Sequence, residues 1–258
     1  MRIVTHTCSN TEIVAALGAG DAIVGVDDHS DYPPDLVRSK ARIGADLDID
    51  IDRIVALKPD LVITSLTVPG HERCLEKIQH ARLPHLITQP TCLADVADDI
   101  RRIGQAIQRA TQANALASAL EARCLASPPA HDPVPVVVEW WPKPVIVPGQ
   151  KSWVNQMLRQ VGAYNPFETT PTESLEITGA QAVEAGVAGV VMSWCGVEQD
   201  KYRPHIVRRR ADWAPTPALV NDHIYPISEA WLGRPGPRLI EGMDRLARVV
   251  QAIRQPRR

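Results

Sequence analysis

The stretch Leu57-Lys58-Pro59-Asp60-Leu61-Val62-Ile63-Thr64 decides the fold of this chain. Helical spacing precedes it in residues 51–57, and Pro59 ends that helix because the residue before a proline avoids the helical region of backbone space. The apolar, β-branched run 61–64 that follows at once is typical of a buried strand. A helix that ends directly before a buried strand predicts a repeating unit of a parallel sheet.

The same alternation of apolar runs and helical patterns extends to both sides. Strand-like runs precede the stretch at 2–5 and 22–26, with a helical pattern between them at 11–17. After a proline-rich break at 127–135, strand-like runs return, and we expect a final helix from about Pro237 to Ile253. The later runs are 136–138, 145–147, 187–193, 218–220 and 224–227.

Residues 91–126 interrupt the alternation. Val96, Ile100, Ile103 and Ile107 have helix spacing without strand punctuation, which predicts one long helix or two in line. We therefore predict an α/β fold of two lobes, each a mainly parallel sheet flanked by helices, joined by a long rigid helix. The predicted parts are an N-terminal α/β lobe at 1–90, a linking backbone helix at 91–127 and a C-terminal α/β lobe at 128–258.

The composition is that of a globular protein. The 258 residues carry a net charge of -2 and are 45% hydrophobic, which excludes disordered and fibrous classes and gives no reason to expect nucleic acid as a partner. No apolar run is long enough to cross a membrane. Because Met1-Arg2-Ile3-Val4 lacks the pattern of a secretory signal, we expect a cytoplasmic monomer with reduced cysteines, or a periplasmic protein if a leader precedes Met1.

Ligands of open parallel sheets bind beyond the carboxyl ends of the strands, so we place the candidate site in the loops that follow them. Five of the six tryptophans lie in those loops, where an indole face offers a rigid surface for a flat ligand; the alternative for each is core packing. The candidate ligand-binding residues are Cys8, Ser9, Asn10, Asp28, His29, Tyr32, Leu66, Glu139, Trp140, Trp141, Trp153, Trp194, Cys195, Trp231, Arg234 and Arg238.

Two arginines mark the start of the last predicted helix. Arg234 and Arg238 bracket Gly236, and Pro237 suits a first helical position, so their guanidinium groups and free backbone N–H groups are suited to an anion. The alternative is an ordinary helix start with solvated arginines. The run Arg208-Arg209-Arg210 is expected to be a solvated helix face.

Ligation of a metal by the protein is a less favoured alternative. His6 and Cys8 are two residues apart, which would place them on one face of a strand, and His29 lies in a candidate loop. Any of the three could supply an axial ligand to cobalt or iron, but the sequence shows no third ligand, and His6 alone is more typical of a buried structural histidine.

No P-loop, H-E-x-x-H or G-x-S-x-G motif is present, so the sequence gives no reason to expect hydrolase or kinase activity. We therefore predict a binding protein without catalytic activity and without a catalytic cofactor. The alternative from another class is a cytosolic tetrapyrrole enzyme or metallochaperone that uses His6, Cys8 and His29.

Several segments resemble a known family. The N-terminal segments Asn10-Thr11-Glu12-Ile13, Ala16-Leu17-Gly18 and Ala56–Ile63, and above all the LKPDLVI block, resemble class III periplasmic-binding-protein-like receptors, the helical-backbone metal receptors that bind cobalamin, haem and iron-siderophores for ABC importers. Glu139-Trp140, Trp153, Cys195-Gly196 and the RPGPR block at 234–238 are most similar to the cobalamin-binding branch.

This resemblance implies the ligand and the partner. A corrinoid would bind in the cleft between two lobes, with an iron-siderophore or haem as the near alternative, and the partner would be an ABC importer permease or, in a cytosolic relative, none. In importer-linked relatives an exposed glutamate on each lobe meets arginines of the permease; the matching positions here are Glu72 and Glu198. The alternative for both is ordinary helix capping.

Overall fold

The computed structural model describes residues 1–125 and 132–255 and divides into two compact units. Unit 1 comprises 1–90 and 94–120, and unit 2 comprises 91–93 and the described part of 121–258. The predicted boundary between 127 and 128 lies outside the described residues.

Helices and strands alternate through both units. The helices are α1 Cys8–Ala16, α2 Pro34–Val37, α3 Ile51–Ala56, α4 His71–His80, α5 Leu93–Ala106, α6 Ala110–Leu125, α7 Trp153–Gln160, α8 Gly179–Glu184, α9 Pro204–Arg208, α10 Pro217–Val220 and α11 Leu239–Arg254. The strands are β1 Ile3–Thr5, β2 Ile23–Val26, β3 Ala41–Arg42, β4 Gly44–Ala45, β5 Asp48–Ile49, β6 Leu61–Ser65, β7 His85–Thr88, β8 Val134–Glu139, β9 Trp141–Pro142, β10 Val145–Pro148, β11 Ala163–Tyr164, β12 Ser174–Glu176, β13 Gly189–Met192 and β14 Ile224–Pro226.

Unit 1 is built on a parallel sheet with the strand order β3-β2-β1-β6-β7. The deciding stretch folds as predicted: α3 ends at Ala56, Lys58 takes the left-handed φ of 47° that ends a helix, and β6 follows with every residue buried. Val4 and Val62 pack with Ile43, Ile54 and Ile78 in the core of this unit.

Strands β4 and β5 follow β3 along the chain and form a small antiparallel hairpin, which carries a residue of the candidate site. Gly44 starts the hairpin with a φ of 99°, and a Cβ at this position would lie 2.8 Å from the carbonyl oxygen of Asp48. Only glycine therefore fits the turn that presents Asp46, the first of the two residues between the strands.

Unit 2 has a parallel sheet with the strand order β11-β8-β13-β14 and a smaller antiparallel sheet of β12, β10 and β9. The strand expected at 218–220 is instead helix α10, because Thr216 caps it by accepting a hydrogen bond from the N–H of Leu219 and Pro217 occupies its first turn. The final helix begins at Leu239, two residues after the predicted start, with Arg238 as its N-cap residue.

The stretch predicted as a linking helix contains α5 and α6, with residues 107–109 between them. Gly104 of α5 lies so close to α6 that a methyl group there would collide with Ala113. In the described part of the chain, no helix combines the length and the apolar character needed to cross a membrane.

Candidate functional site

The carboxyl edge of the unit 1 sheet is rich in buried polar groups. The chain runs from β1 to β2 on one side of it and later adds β6 on its other side. In open parallel sheets, ligands bind at the place where the strand order reverses in this way. Asn10 lies there fully buried: its Nδ2 donates to the carbonyl of His6 at 2.9 Å and to Ser65 Oγ at 3.1 Å, and Ser65 in turn lies 2.8 Å from Thr88 Oγ1. Two predicted ligand residues, Asn10 and the buried Ser9, thus lie inside the framework of this edge.

The predicted placement of His6 and Cys8 on one face of a strand is wrong. β1 ends at Thr5, Thr7 takes a left-handed φ of 79°, and α1 begins at Cys8, so the period of a strand does not apply. A left-handed φ at a β-branched residue costs about 1–3 kcal/mol. Thr7 is held in place through its hydroxyl, 3.0 Å from Ser65 Oγ.

The loop after β2 is the exposed part of the unit 1 candidate set. Asp28 and His29 are exposed, and the side chain of Tyr32 is 43% exposed. The thiol of Cys8 donates to the carbonyl of His29 at 3.0 Å, which ties this loop to the start of α1. Leu66, after β6, is half-buried.

His6 lies in a cluster that the sequence did not predict. Its Nδ1 is 2.7 Å from Thr64 Oγ1, and its Nε2 is 2.7 Å from the carbonyl oxygen of Asp46. The carboxylate oxygens of Asp46 lie 3.6 Å from His6 Nε2 and 3.2 Å from His71 Nε2. Burial acts to raise the pKa of Asp46, but the neighbouring histidines, with His71 foremost, bring it below its ordinary value.

Sequence reasoning missed Asp46 and His71 because neither lies directly at the end of a strand of the main sheet. Asp46 is in the turn of the β4–β5 hairpin and His71 opens α4, so only the folded chain brings them to His6. The usable signal was the hairpin pattern around Gly44 followed by a histidine at the start of a helix.

In unit 2, hydrogen bonds donated by backbone N–H groups hold the loops after β8, β13 and β14 together. The N–H of Cys195 donates to the carbonyl of Trp140 at 3.0 Å, and the N–H of Gly196 donates to Glu229 Oε2 at 3.0 Å. Arg234 also binds Glu229, with Nη2 3.1 Å from Oε1 and a side chain only 11% exposed. Arg234 is therefore engaged inside this loop cluster rather than solvated.

Glu139 is the buried charge of unit 2. Its carboxylate accepts two hydrogen bonds from Arg210, at 2.6 and 3.0 Å, and one from Trp194 Nε1 at 2.7 Å. The expectation that 208–210 forms a solvated face is wrong for Arg210, whose side chain is only 11% exposed because it neutralises Glu139.

The predicted tryptophans divide into two groups. Trp153 and Trp194 are packed inside unit 2, and Trp153 Nε1 donates to the carbonyl of Leu232 at 2.7 Å. Trp141 is 41% exposed, whereas Trp140 and Trp231 are half-buried.

Cationic side chains surround Trp231. The guanidinium carbon of Arg245 lies 3.5 Å from the centre of a Trp231 ring, and that of Arg238 lies 5.1 Å from it, both within the range of cation–π attraction. Trp231 Nε1 donates to Glu241 Oε2 at 3.1 Å. This aromatic and cationic group lies in the loop after β14 and at the start of α11.

The two predicted docking glutamates are exposed. Glu72 is in the first turn of α4, and its carboxylate accepts a hydrogen bond from the N–H of Gly70 at 2.8 Å; bonds of this kind from backbone N–H groups lower its pKa. Glu198 pairs with Lys201 at 2.7 Å. The capping role considered for Glu72 is therefore present, and it leaves the side chain at the surface.

Known proteins are similar to this chain along most of its length, and two of them illustrate the relationship. An uncharacterized ABC transporter substrate-binding lipoprotein of Bacillus subtilis (strain 168), YvrC, is 26% identical over 258 residues, covering 95% of this chain and 78% of the relative. A vitamin B12-binding protein of Vibrio vulnificus (strain YJ016) is 24% identical over 268 residues, covering 99% and 92%.

A solved structure confirms the predicted α/β class of fold. The periplasmic heme-binding protein RhuT from Roseiflexus sp. RS-1, in its apo form, matches with a TM-score of 0.83 and 25% sequence identity, covering 98% of this chain and 99% of that chain.

The prediction of a cytoplasmic location is wrong. The Bacillus subtilis relative is a lipoprotein of an ABC transporter, and the matching family is one of periplasmic binding proteins. These findings point to a location outside the cytoplasm. The prediction rested on the first residues alone, and the pattern of those residues does not determine the compartment.

Family membership follows from a match over most of the sequence. The model of the periplasmic binding protein family matches residues 3–230. This match confirms the resemblance found in the sequence, and the vitamin B12-binding relative agrees with the branch to which the second half is most similar. The chain belongs to the periplasmic binding protein family.

Proposed function

We propose that this chain is the substrate-binding component of an ABC importer, that its ligand is a cobalamin-like corrinoid, and that it releases that ligand unchanged. The observation that carries the proposal is in unit 2: hydrogen bonds hold the loops after β8, β13 and β14 together, and these loops keep Trp140, Trp141 and Trp231 at least partly exposed. Accessible indoles suit a large ligand with flat, apolar surfaces. The names of the two relatives support the transport role and the ligand class.

We narrow the set of residues proposed to contact the ligand by their burial and their hydrogen bonds. Trp153 and Trp194 use their indole N–H groups inside unit 2, and Arg234 is engaged by Glu229, so we assign these three a supporting role. In unit 2 the proposed contacts are Trp140, Trp141, Trp231 and Arg238. In unit 1 they are Asp28, His29, Tyr32 and Leu66, which lie in loops at the carboxyl edge of the sheet.

Haem is the second candidate ligand, and one observation favours it. His29 and Tyr32 are exposed in a single loop, and imidazole and phenolate are both known ligands of haem iron. RhuT, with the same fold, is a heme-binding protein. An iron-siderophore, the remaining alternative, would rely on Arg238 more than on the indoles.

A binding experiment distinguishes the three ligand classes. The purified chain is titrated with cyanocobalamin, haemin and a ferric hydroxamate siderophore, and tryptophan fluorescence and calorimetric heat are recorded. We expect quenching and heat with cyanocobalamin. Heat with haemin alone or with the siderophore alone would identify that class of compound, and not a corrinoid, as the ligand. No heat with any of the three would refute the proposal.

Variants then locate the contact. Trp141→Ala and Trp231→Ala should each weaken binding by about 1–3 kcal/mol, the usual cost of removing a central aromatic contact. Arg238→Gln should weaken binding less and reduce its dependence on salt. Val220→Ala, at a side chain of unit 2 that is 70% exposed, is the matched control and should bind as the unmodified chain does.

The permease contact is proposed for Glu72 and Glu198. Exposed charges act mainly by steering and orienting a partner, because each exposed ion pair contributes only about 0–1 kcal/mol. Exchanging both residues for arginine should abolish ligand uptake by cells while ligand affinity stays unchanged. Glu76→Arg, at an exposed position of the same helix as Glu72, is the control, and uptake that survives the double exchange would contradict the docking role.

A further inference from the structure

We propose that unit 1 holds one transition-metal ion of the Zn²⁺ type between His6, Asp46 and His71. None of these three residues is among the proposed corrinoid contacts, and all three belong to unit 1. The inference therefore does not depend on the proposed function.

The three side chains have nearly the spacing of a metal site. Each offers one ligand atom, and these atoms all lie within 4.8 Å of one another. Ligand atoms about 2.0–2.1 Å from a tetrahedral zinc ion are separated from one another by about 3.3 Å. The Asp46 carboxylate is already 3.2 Å from His71 Nε2 and 3.6 Å from His6 Nε2, so closing the site requires mainly the approach of the two imidazoles.

His71 gives an independent reason to expect a ligand. Its side chain is 1% exposed, and neither ring nitrogen has a hydrogen-bond partner in good geometry, although Asp46 Oδ2 is nearby. A buried polar atom without a partner costs about 1–3 kcal/mol. A metal ion bound to Nε2 would use the lone pair that the protein leaves unsatisfied.

His6 has the outer contact that metal-bound histidines usually have. Thr64 Oγ1 lies 2.7 Å from its Nδ1, so the hydroxyl can accept a hydrogen bond from Nδ1–H and orient the ring. Nε2 now faces the carbonyl oxygen of Asp46 at 2.7 Å, which requires an N–H at that atom. On metal binding the proton moves to the Nδ1 tautomer and Nε2 becomes the ligand.

The donor set selects the class of metal. Two imidazole nitrogens and one carboxylate suit Zn²⁺ and its neighbours among the first-row divalent ions, whereas Mg²⁺ and Ca²⁺ prefer oxygen ligands alone. The Asp46 side chain is 25% exposed, which gives the ion a path from solvent. Three protein ligands leave the fourth position to water, as in zinc sites that are not closed.

The test uses the full chain after treatment with a chelator. Zn²⁺ is titrated in competition with a chromophoric chelator, and Co²⁺ is titrated while its visible d–d bands are recorded, since a four-coordinate site makes those bands strong. We expect one equivalent of each ion to bind and Mg²⁺ and Ca²⁺ not to compete. Absence of stoichiometric binding would overturn the proposal and leave the cluster as a hydrogen-bonded structural element.

Variants assign the ligands. Asp46→Asn keeps the shape of the side chain and removes its charge, and His71→Gln removes the unsatisfied imidazole; each should weaken Zn²⁺ binding at least tenfold and change the Co²⁺ spectrum. The matched control is His80→Gln, at an exposed histidine of the same helix, which should leave both unchanged. Circular dichroism confirms that each variant is folded. Unchanged binding in both folded ligand variants would refute the site.

Discussion

Each unit buries a polar cluster beside the first strand of its parallel sheet, and the two clusters differ in how well their atoms are satisfied. At the end of β8, both oxygens of Glu139 accept hydrogen bonds, from Arg210 and from Trp194. After β1, His6 is bonded, yet His71 keeps two ring nitrogens without a partner in good geometry. We call a cluster saturated when all its polar atoms have hydrogen-bond partners; such a cluster is structural because no atom is left to bind a ligand. An unsaturated cluster, in which polar atoms lack partners, can bind a ligand.

Breaking the saturated cluster should have the largest effect. Glu139→Gln leaves the buried guanidinium of Arg210 without its counter-charge, and removing one partner of a buried ion pair costs about 3–5 kcal/mol. Urea unfolding followed by the fluorescence of unit 2 measures this loss. Asp222→Asn is the control, because the Asp222–Arg208 pair is roughly half exposed and should contribute no more than about 1 kcal/mol. Similar losses in the two variants would contradict the structural role of Glu139.

Asp99 is another buried carboxylate, and only part of its hydrogen-bonding capacity is satisfied. Burial raises its pKa to about 6 although Arg102 lies 2.7 Å away, and its Oδ2 has no hydrogen-bond partner. The folded chain thus holds a proton that the unfolded chain releases near pH 4, so the contribution of Asp99 to stability is full below pH 4 and is lost as the pH rises through about 6.

Replacing this carboxylate should therefore stabilise the chain at high pH. Asp99→Asn should raise the free energy of unfolding at pH 8 by up to about 3 kcal/mol and change little at pH 4. Denaturant unfolding at the two pH values checks this. Asp98→Asn, at an exposed neighbour that pairs with Arg101, should show no such difference, and a gain larger at pH 4 than at pH 8 would show the sign to be wrong.

Filling the unsaturated cluster should stabilise unit 1. Free Zn²⁺ at 100 times its dissociation constant should raise the free energy of unfolding by about 2.7 kcal/mol, because the ion binds the folded state. A chelator should reverse the gain, and His71→Gln should abolish it. The variant Glu139→Gln should keep it, since that residue belongs to unit 2; loss of the gain in this variant would contradict the independence of the two clusters.

The smallest expected effect comes from one peripheral hydroxyl of the saturated cluster. Tyr202 Oη donates to the carbonyl of Trp194 at 3.1 Å, and burial raises the pKa of this phenol. Tyr202→Phe keeps the ring and removes this bond together with the one that Oη accepts from the N–H of Glu229 at 3.3 Å, so it should cost about 1–2 kcal/mol in urea unfolding. A loss as large as that of Glu139→Gln would mean that the hydroxyl, and not the ion pair, secures this region.

The positions of the main strands along the chain were predictable because their residues repeat a local pattern. Proline before Asp60 and the β-branched run after it define the end of α3 and the start of β6 within one residue. The prediction of a strand at 218–220 was wrong because an apolar run of three residues is too short to show a period. The cap at Thr216 stabilises a helix there instead. The edge strand β7 was missed because its short run is only half-buried.

The candidate site was less predictable, because burial decides what a side chain can do. A tryptophan in a loop looks the same in sequence whether it is exposed, as Trp141 is, or packed, as Trp194 is. Likewise, the pairing of Arg210 with Glu139 joins residues 71 positions apart, and the His6 cluster depends on a hairpin and a helix start. Long-range contacts of this kind leave no local period in the sequence.

The division of the chain into two units also means that unit 1 is synthesised before most of unit 2. All strand pairs of the unit 1 sheet lie within residues 3–88, and unit 1 itself ends at residue 120. The first strand of the unit 2 sheet, β8, begins at Val134. On a chain that grows from its N-terminus, every residue of unit 1 is synthesised before Glu139, and domains generally fold as units in that order. The histidine–aspartate cluster can thus form on the nascent chain while its counterpart in unit 2 does not yet exist.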